Sequence, residues 1–137
     1  MSTREQLPKS ESESRDPLWR MRAYRSACEL VEEAWKDCEI LRHHPTTDKI
    51  AGQLYAAVGS IAANLGEGYS HSSGKDRARI FEYALGSTRE SMAWFRTAQP
   101  ILGRETVSAR LEKLEEIRRL LLATIPRERG RLIRPGS

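Results

Sequence analysis

The stretch DKIAGQLYAAVGSIAANLGEGY, residues 48–69, constrains the fold more than any other part of the chain. It repeats with the period of a helix, yet it is apolar on almost every side. Ile50, Leu54, Val58, Ile61 and Leu65 recur at steps of three or four and form one helical stripe. A second seam at the same steps holds only small residues, Gly52, Ala56, Gly59, Ala63 and Gly66. Lys49, Gln53, Ser60, Asn64 and Glu67 leave a thin polar strip. A helix apolar nearly all round is a buried one, and a small-residue seam lets a neighbouring backbone come close. The pattern predicts a central helix with the others laid against it, the glycine seam being a tight crossing.

Around this helix the chain divides readily. Residues 1–15 are polar and without periodicity, the composition of a disordered tail. Asp16-Pro17 reads as the N-cap and first turn of a helix running to Leu41. Its stripes are Ala23, Ala27, Leu30, Ala34, Cys38 and Leu41, flanked by Tyr24, Cys28, Val31 and Trp35. RHHPTT follows as a connection, and Thr47 or Asp48 caps the central helix. GEGYSHSSG forms the second turn, with Ser73 and Asp76 approximating a capping box. The third helix pairs a stripe of Phe81, Ala84, Leu85, Thr88, Met92 and Phe95 with one of Ile80, Tyr83, Ser87, Ser91 and Trp94. Pro100 should end or kink it, with a turn at Gly103. The fourth helix, from about Glu105, turns Val107, Leu111, Leu114, Ile117 and Leu121 inward, and Pro126 should stop it. Four helices joined by short turns make an all-α, up-down-up-down antiparallel four-helix bundle over residues 16–125. Residues 126–137 read as a basic flexible tail.

Two helices carry more apolar surface than one bundle needs. A bundle helix requires a single stripe of roughly 100°, whereas the first and third each have two. The surplus contains Tyr24, Trp35, Tyr83 and Trp94, and surplus aromatic residues suit an interface. A homo-oligomer is expected, with a fat internal core as the alternative.

Read together, SIAANLGEGYSHSSGKD and FEYALGSTRE resemble the bacterial four-helix-bundle proteins. These are also called ribosomal-RNA intervening-sequence proteins, because some are encoded inside insertions in large-subunit ribosomal RNA genes. The matching positions are Gln53, Ser60, Ile61, Asn64, Glu67 and Gly68, then Ala84, Gly86, Ser87 and Glu90. Order and spacing agree over about residues 18 to 125, with departures at Leu65 and Pro100. The resemblance implies a ring, commonly a pentamer, and kinship with the accessory protein of diversity-generating retroelements. That accessory protein binds nucleic acid and its reverse transcriptase.

The residues offer little catalytic chemistry. Glu67 and Glu90 fall about a helix length apart in a hairpin turning near Ser70, too far for paired acid–base work. Glu67 is expected to pair with Arg77 or Lys75, or to cap a helix end. Asn64 should satisfy backbone groups, and Gly86 should be small because a helix crosses there, at the Gly52–Gly59 seam. His43 and His44 belong to one turn and His71 to the other, roughly 30 Å away, so no metal site forms within a protomer. Cys28 and Cys38, about 15 Å apart on one helix, cannot bridge. No cofactor is implied, and a non-enzymatic role follows.

The net charge of +4 permits an anionic partner without demanding one. Arg20, Arg22 and Arg25 open the first helix, while Arg118, Arg119, Arg127, Arg129, Arg131 and Arg134 close the fourth. An up-down bundle brings both groups to one end, where guanidinium groups suit phosphate. Three readings stand: binding of RNA or a ribonucleoprotein, service as a reverse-transcriptase accessory subunit, or a scaffold without nucleic acid. The absence of membrane-length apolar runs and of a signal peptide core points to a cytoplasmic protein with no membrane partner.

Overall fold

The computed structural model describes residues 15–131. The expected tails beyond these bounds, Arg134 included, lie outside the described residues. Four long helices form an antiparallel bundle: α1 (Arg22–Leu41), α2 (Asp48–Ser70), α3 (Gly74–Thr97) and α5 (Arg104–Arg129). A single turn, α4 (Gln99–Leu102), links α3 to α5. Among the described residues there is no strand.

The core is built from the expected stripes. Leu30, Leu54, Val58, Ile61, Leu65, Phe81, Phe95, Leu114 and Ile117 are fully excluded from solvent. Each such side chain contributes about 1.5–3 kcal/mol on burial, so this core outweighs any surface ion pair at about 0–1 kcal/mol. The α1–α2, α2–α3 and α3–α5 contacts are extensive. The seam between α1 and α5 is closed in large part by charge. Arg110 donates to both carboxylate oxygens of the buried Asp37, at 2.7 and 3.1 Å. Lys113 bridges Glu29 and Glu33, at 3.2 and 3.1 Å.

The glycine seam is a correction. Gly52, Ala56 and Ala63 are exposed and Gly59 is half-buried. A Cβ placed on Gly52, Gly59 or Gly86 would meet nothing within 4 Å. Among the described residues no helix crosses there, because the large residues Leu54, Val58, Ile61 and Leu65 take the inward face. The close approaches fall at the hairpin end instead. A Cβ on Gly68 would lie 2.7 Å from the Phe81 ring, and one on Gly74 would collide with the Glu128 carbonyl.

Three helix ends also differ from expectation. Asp16 does cap, accepting from the Leu18 N–H at 3.0 Å, but the element it opens is a 3-10 turn, Pro17–Arg20. Met21 is extended (φ −74°, ψ 115°), and the α-helix begins only at Arg22. Leu18 and Tyr24 lie against the position of Gly66, and Trp19 stacks edge-on against Tyr24, so packing on α2 holds this entry segment. Second, α5 continues through Pro126 to Arg129. The proline removes a donor to the Leu122 carbonyl, but Leu122 is 41% exposed and water can satisfy that group. Residues 126–129 are therefore helix and not tail. Third, Thr47 occupies the N-cap of α2 without capping it; its hydroxyl donates to the Leu41 carbonyl at 2.8 Å and closes the first turn.

Two turns follow the sequence closely. Ser73 Oγ accepts from the Asp76 N–H at 3.3 Å, the forward half of a capping box. α3 ends at Thr97, with Pro100 in the first turn of α4. Gly103 then takes φ +90°, a conformation that only glycine enters readily.

Candidate nucleic-acid interface

The start of α1 and the end of α5 meet at one pole of the bundle. There Arg22 and Arg127 line a single cleft of about 200 Å³, together with Met21, Leu120 and Thr124, above Leu65 and Phe81. Met21, the extended residue that separates the 3-10 turn from α1, itself lines this cleft.

The arginines of this pole are not equivalent. Arg22 is held by Glu116 at 2.6 Å and Arg129 by Glu82 at 2.6 Å. Arg118 forks onto Glu115 through bonds of 2.8 and 2.7 Å, which hold the Glu115 carboxyl below its usual range. Arg131 reaches the Ser72 carbonyl at 3.4 Å and Glu128 at 3.7 Å, and Arg25 bonds the Trp19 carbonyl at 2.6 Å. Arg20, Arg119 and Arg127 are exposed and have no ion pair among the described residues. The carboxylates that hold Arg22 and Arg129 stand on other helices, so these two pairs form only on folding.

The family-motif residues are distributed differently from expectation. Gly68 is buried at the hairpin. Gln53, Glu67, Gly86 and Glu90 are exposed, and Ser60, Asn64 and Ser87 are half-buried. Asn64 donates to the Ser60 carbonyl at 2.9 Å, and Glu90 accepts from the Trp94 indole at 3.1 Å. Glu67 lies 3.9 Å from His71 and does not pair with Arg77. Arg77 instead spans the hairpin end. It donates to the Tyr69 and His71 carbonyls at 2.8 and 3.3 Å and lies over the Tyr69 ring at 4.9 Å. Its Nε is 3.0 Å from Glu128 Oε1, an off-axis Coulomb contact without hydrogen-bond geometry. The sequence does not show this clamp, because Glu128 lies beyond Pro126, a residue that ordinarily stops a helix.

The four surplus aromatic residues occupy no single face. Tyr24 is half-buried against Trp19, and Trp94 is half-buried over its bond to Glu90. Trp35 and Tyr83 are 47% and 53% exposed. Cys38 is buried and donates to the Ala51 carbonyl at 3.2 Å. Among the described residues no three of His, Cys, Asp and Glu are grouped to hold a metal ion, and no helix is long and apolar enough to cross a membrane.

These features define a small antiparallel helical bundle with an arginine-bordered cleft at one pole. A family model described as 23S rRNA-intervening sequence protein matches residues 20–123, and the chain belongs to that family. Its fold is similar to a crystal structure from Bacteroides thetaiotaomicron, described as a protein of unknown function from the S23 ribosomal protein family. The TM-score is 0.71 at 20% identity, covering 75% of this chain and 97% of the other. No curated protein matches the chain.

Proposed function

We propose that this protein is a non-enzymatic helical bundle that binds RNA, bare or within a ribonucleoprotein, through the arginine pole. One observation carries the reading: Arg22 and Arg127, from opposite ends of the chain, line one cleft. Arg20, Arg119 and Arg127 add exposed guanidinium groups without ion-pair partners among the described residues. A family described by ribosomal RNA agrees with such a partner. Guanidinium groups contact phosphate in a bidentate manner, and contacts of this kind position a strand without reading its sequence.

The test is the variant Arg20→Glu/Arg119→Glu/Arg127→Glu against a short single-stranded RNA. Each lost phosphate contact should lower the slope of log affinity against log salt by about 0.7, and binding at low salt should fall roughly a hundredfold. Unchanged RNA retention would sink the proposal. Truncation after Thr124 is a poor probe, since it removes the buried Ile125 and the Glu128 contact to Arg77.

The same proposal includes a cytoplasmic homo-oligomer, a pentameric ring, assembled on the outer α2–α3 surface. Tyr83 is 53% exposed there, and Gly52, Ala56, Ala63 and Gly86 are exposed with little relief. Light scattering at micromolar concentration should give a multiple of the 15.6 kDa chain, and Tyr83→Asp should reduce it. A clean monomer for the wild type removes the ring.

A further inference from the structure

The end of α1 remote from the arginine pole carries an aromatic shelf that the backbone-binding reading does not use. Trp35 is 47% exposed, an unusual state for the largest side chain. It is nevertheless held in place. Tyr55 of α2 meets it in a T-shaped contact, with ring centroids 5.5 Å apart and planes at 68°. The Arg42 guanidinium lies 5.6 Å from its ring centroid. Val31, Glu32, Lys36 and Tyr55 complete with it an open cleft of about 310 Å³. Gly52 and Gly59 stand one turn to either side of Tyr55 on α2, with nothing within 4 Å of a Cβ at either.

We propose that Trp35 is a stacking platform for an unpaired base of a single-stranded nucleic acid, backed by Tyr55 and flanked by the cations Arg42 and Lys36. This rests on the backbone-binding reading and adds a base-dependent contact to it. The chemistry of the shelf favours a base over an apolar side chain. An exposed indole fixed by a second ring offers a flat π surface, and arginine beside an aromatic ring reinforces stacking while meeting the phosphate. Arg42 and Lys36 are exposed and have no ion pair among the described residues. Glu32 is the one carboxylate of the cleft. It repels phosphate but accepts from an exocyclic amino group, so adenine suits the shelf better than uracil. Trp35 and Arg22 are thirteen residues apart on α1, about 20 Å of helical rise. A single strand of modest length reaches both.

The test compares a short oligoadenylate with a base-free ribose–phosphate chain of the same length, both fluorescently labelled. The wild type should bind the oligoadenylate about tenfold more tightly. Trp35→Ala should abolish that difference while leaving affinity for the base-free chain unchanged, and Trp35→Phe should restore most of it. A wild type that binds both chains equally overturns the stacking site and leaves the arginine pole standing. A wild type that binds neither overturns both. Trp35→Ala that lowers the mass by light scattering, or that weakens both chains alike, assigns Trp35 to an interface or to the fold and overturns the site.

Discussion

Gly68 and Gly59 share a helix but have opposite environments, and this governs what a methyl group does at each. At Gly68 a Cβ would sit 2.7 Å from Phe81. Gly68→Ala should therefore destabilise the bundle by about 1–3 kcal/mol, measured as a shift in urea midpoint at constant slope. At Gly59 the space is open, so Gly59→Ala should raise protomer stability by about 0.5–1 kcal/mol through helix propensity. If the outer α2–α3 surface is the assembly face, the same methyl should also loosen the oligomer. A Gly59→Ala protein less stable as a dilute protomer would contradict the open environment. Cys38 supplies a pH signature. Burial first, and the neighbouring Asp37 carboxylate second, push its thiol up from 9.0 to about 11. The folded state favours the protonated thiol, so its contribution is complete below about pH 9 and is lost as pH rises through 11. Across that window the wild type should lose on the order of 2 kcal/mol more than Cys38→Ala does. Parallel stability curves for the two proteins would refute this.

At the scale of elements, α1 and α5 meet through a ladder of charges. Asp37 is 3% exposed and takes two bonds from Arg110. The hydrogen bond to Asp37 raises the Arg110 pKa further, so the guanidinium stays charged. Removing one partner strands the other in a half-buried site, so Asp37→Ala should cost about 3 kcal/mol. Asp37→Ala combined with Arg110→Met should recover much of that loss, because a neutral pair carries no uncompensated charge. A double variant as unstable as the single one would mean that packing, not charge, sets the cost. α5 itself carries a second test at Pro126. Pro126→Ala supplies the missing donor to the Leu122 carbonyl and should stabilise the fold by about 1–3 kcal/mol. A helix end that frays in the wild type would give no gain, and amide exchange at residues 127–129 would reveal it.

For the whole molecule, the balance of paired and unpaired charge matters more than the total. The net charge of +4 is modest; carboxylates from neighbouring helices hold Arg22 and Arg129, and Glu115 on the same helix holds Arg118. At the arginine pole Arg20, Arg119 and Arg127 are exposed and without an ion pair among the described residues, which is why these three reversals should lower RNA affinity roughly a hundredfold. A charge-only reading would instead predict a graded loss across all nine arginines. Reversing Arg118 or Arg129 alone should therefore leave binding within about twofold of wild type, at the cost of one surface pair worth about 0–1 kcal/mol.

What the sequence determined by itself was the number of long helices, their order and their inward faces. Those properties follow from local periodicity: Leu54, Val58, Ile61 and Leu65 must share a side of any helix that contains them. It also determined the Ser73 cap and the need for glycine at Gly103. Tertiary structure decided everything that depended on which surface meets which. The small-residue seam of α2 reads as a crossing in one dimension, yet the large stripe beside it wins the interior because it buries more apolar area. Pro126 reads as a stop, yet its lost hydrogen bond falls at an exposed carbonyl. Asp16-Pro17 reads as the start of α1, yet Leu18 lies against Gly66 of α2, Trp19 stacks on Tyr24, and the chain breaks at Met21. Met21, at that break, lines the cleft with Arg22 and Arg127. The candidate site is thus made of residues visible from the start, brought together by packing that no local pattern encodes.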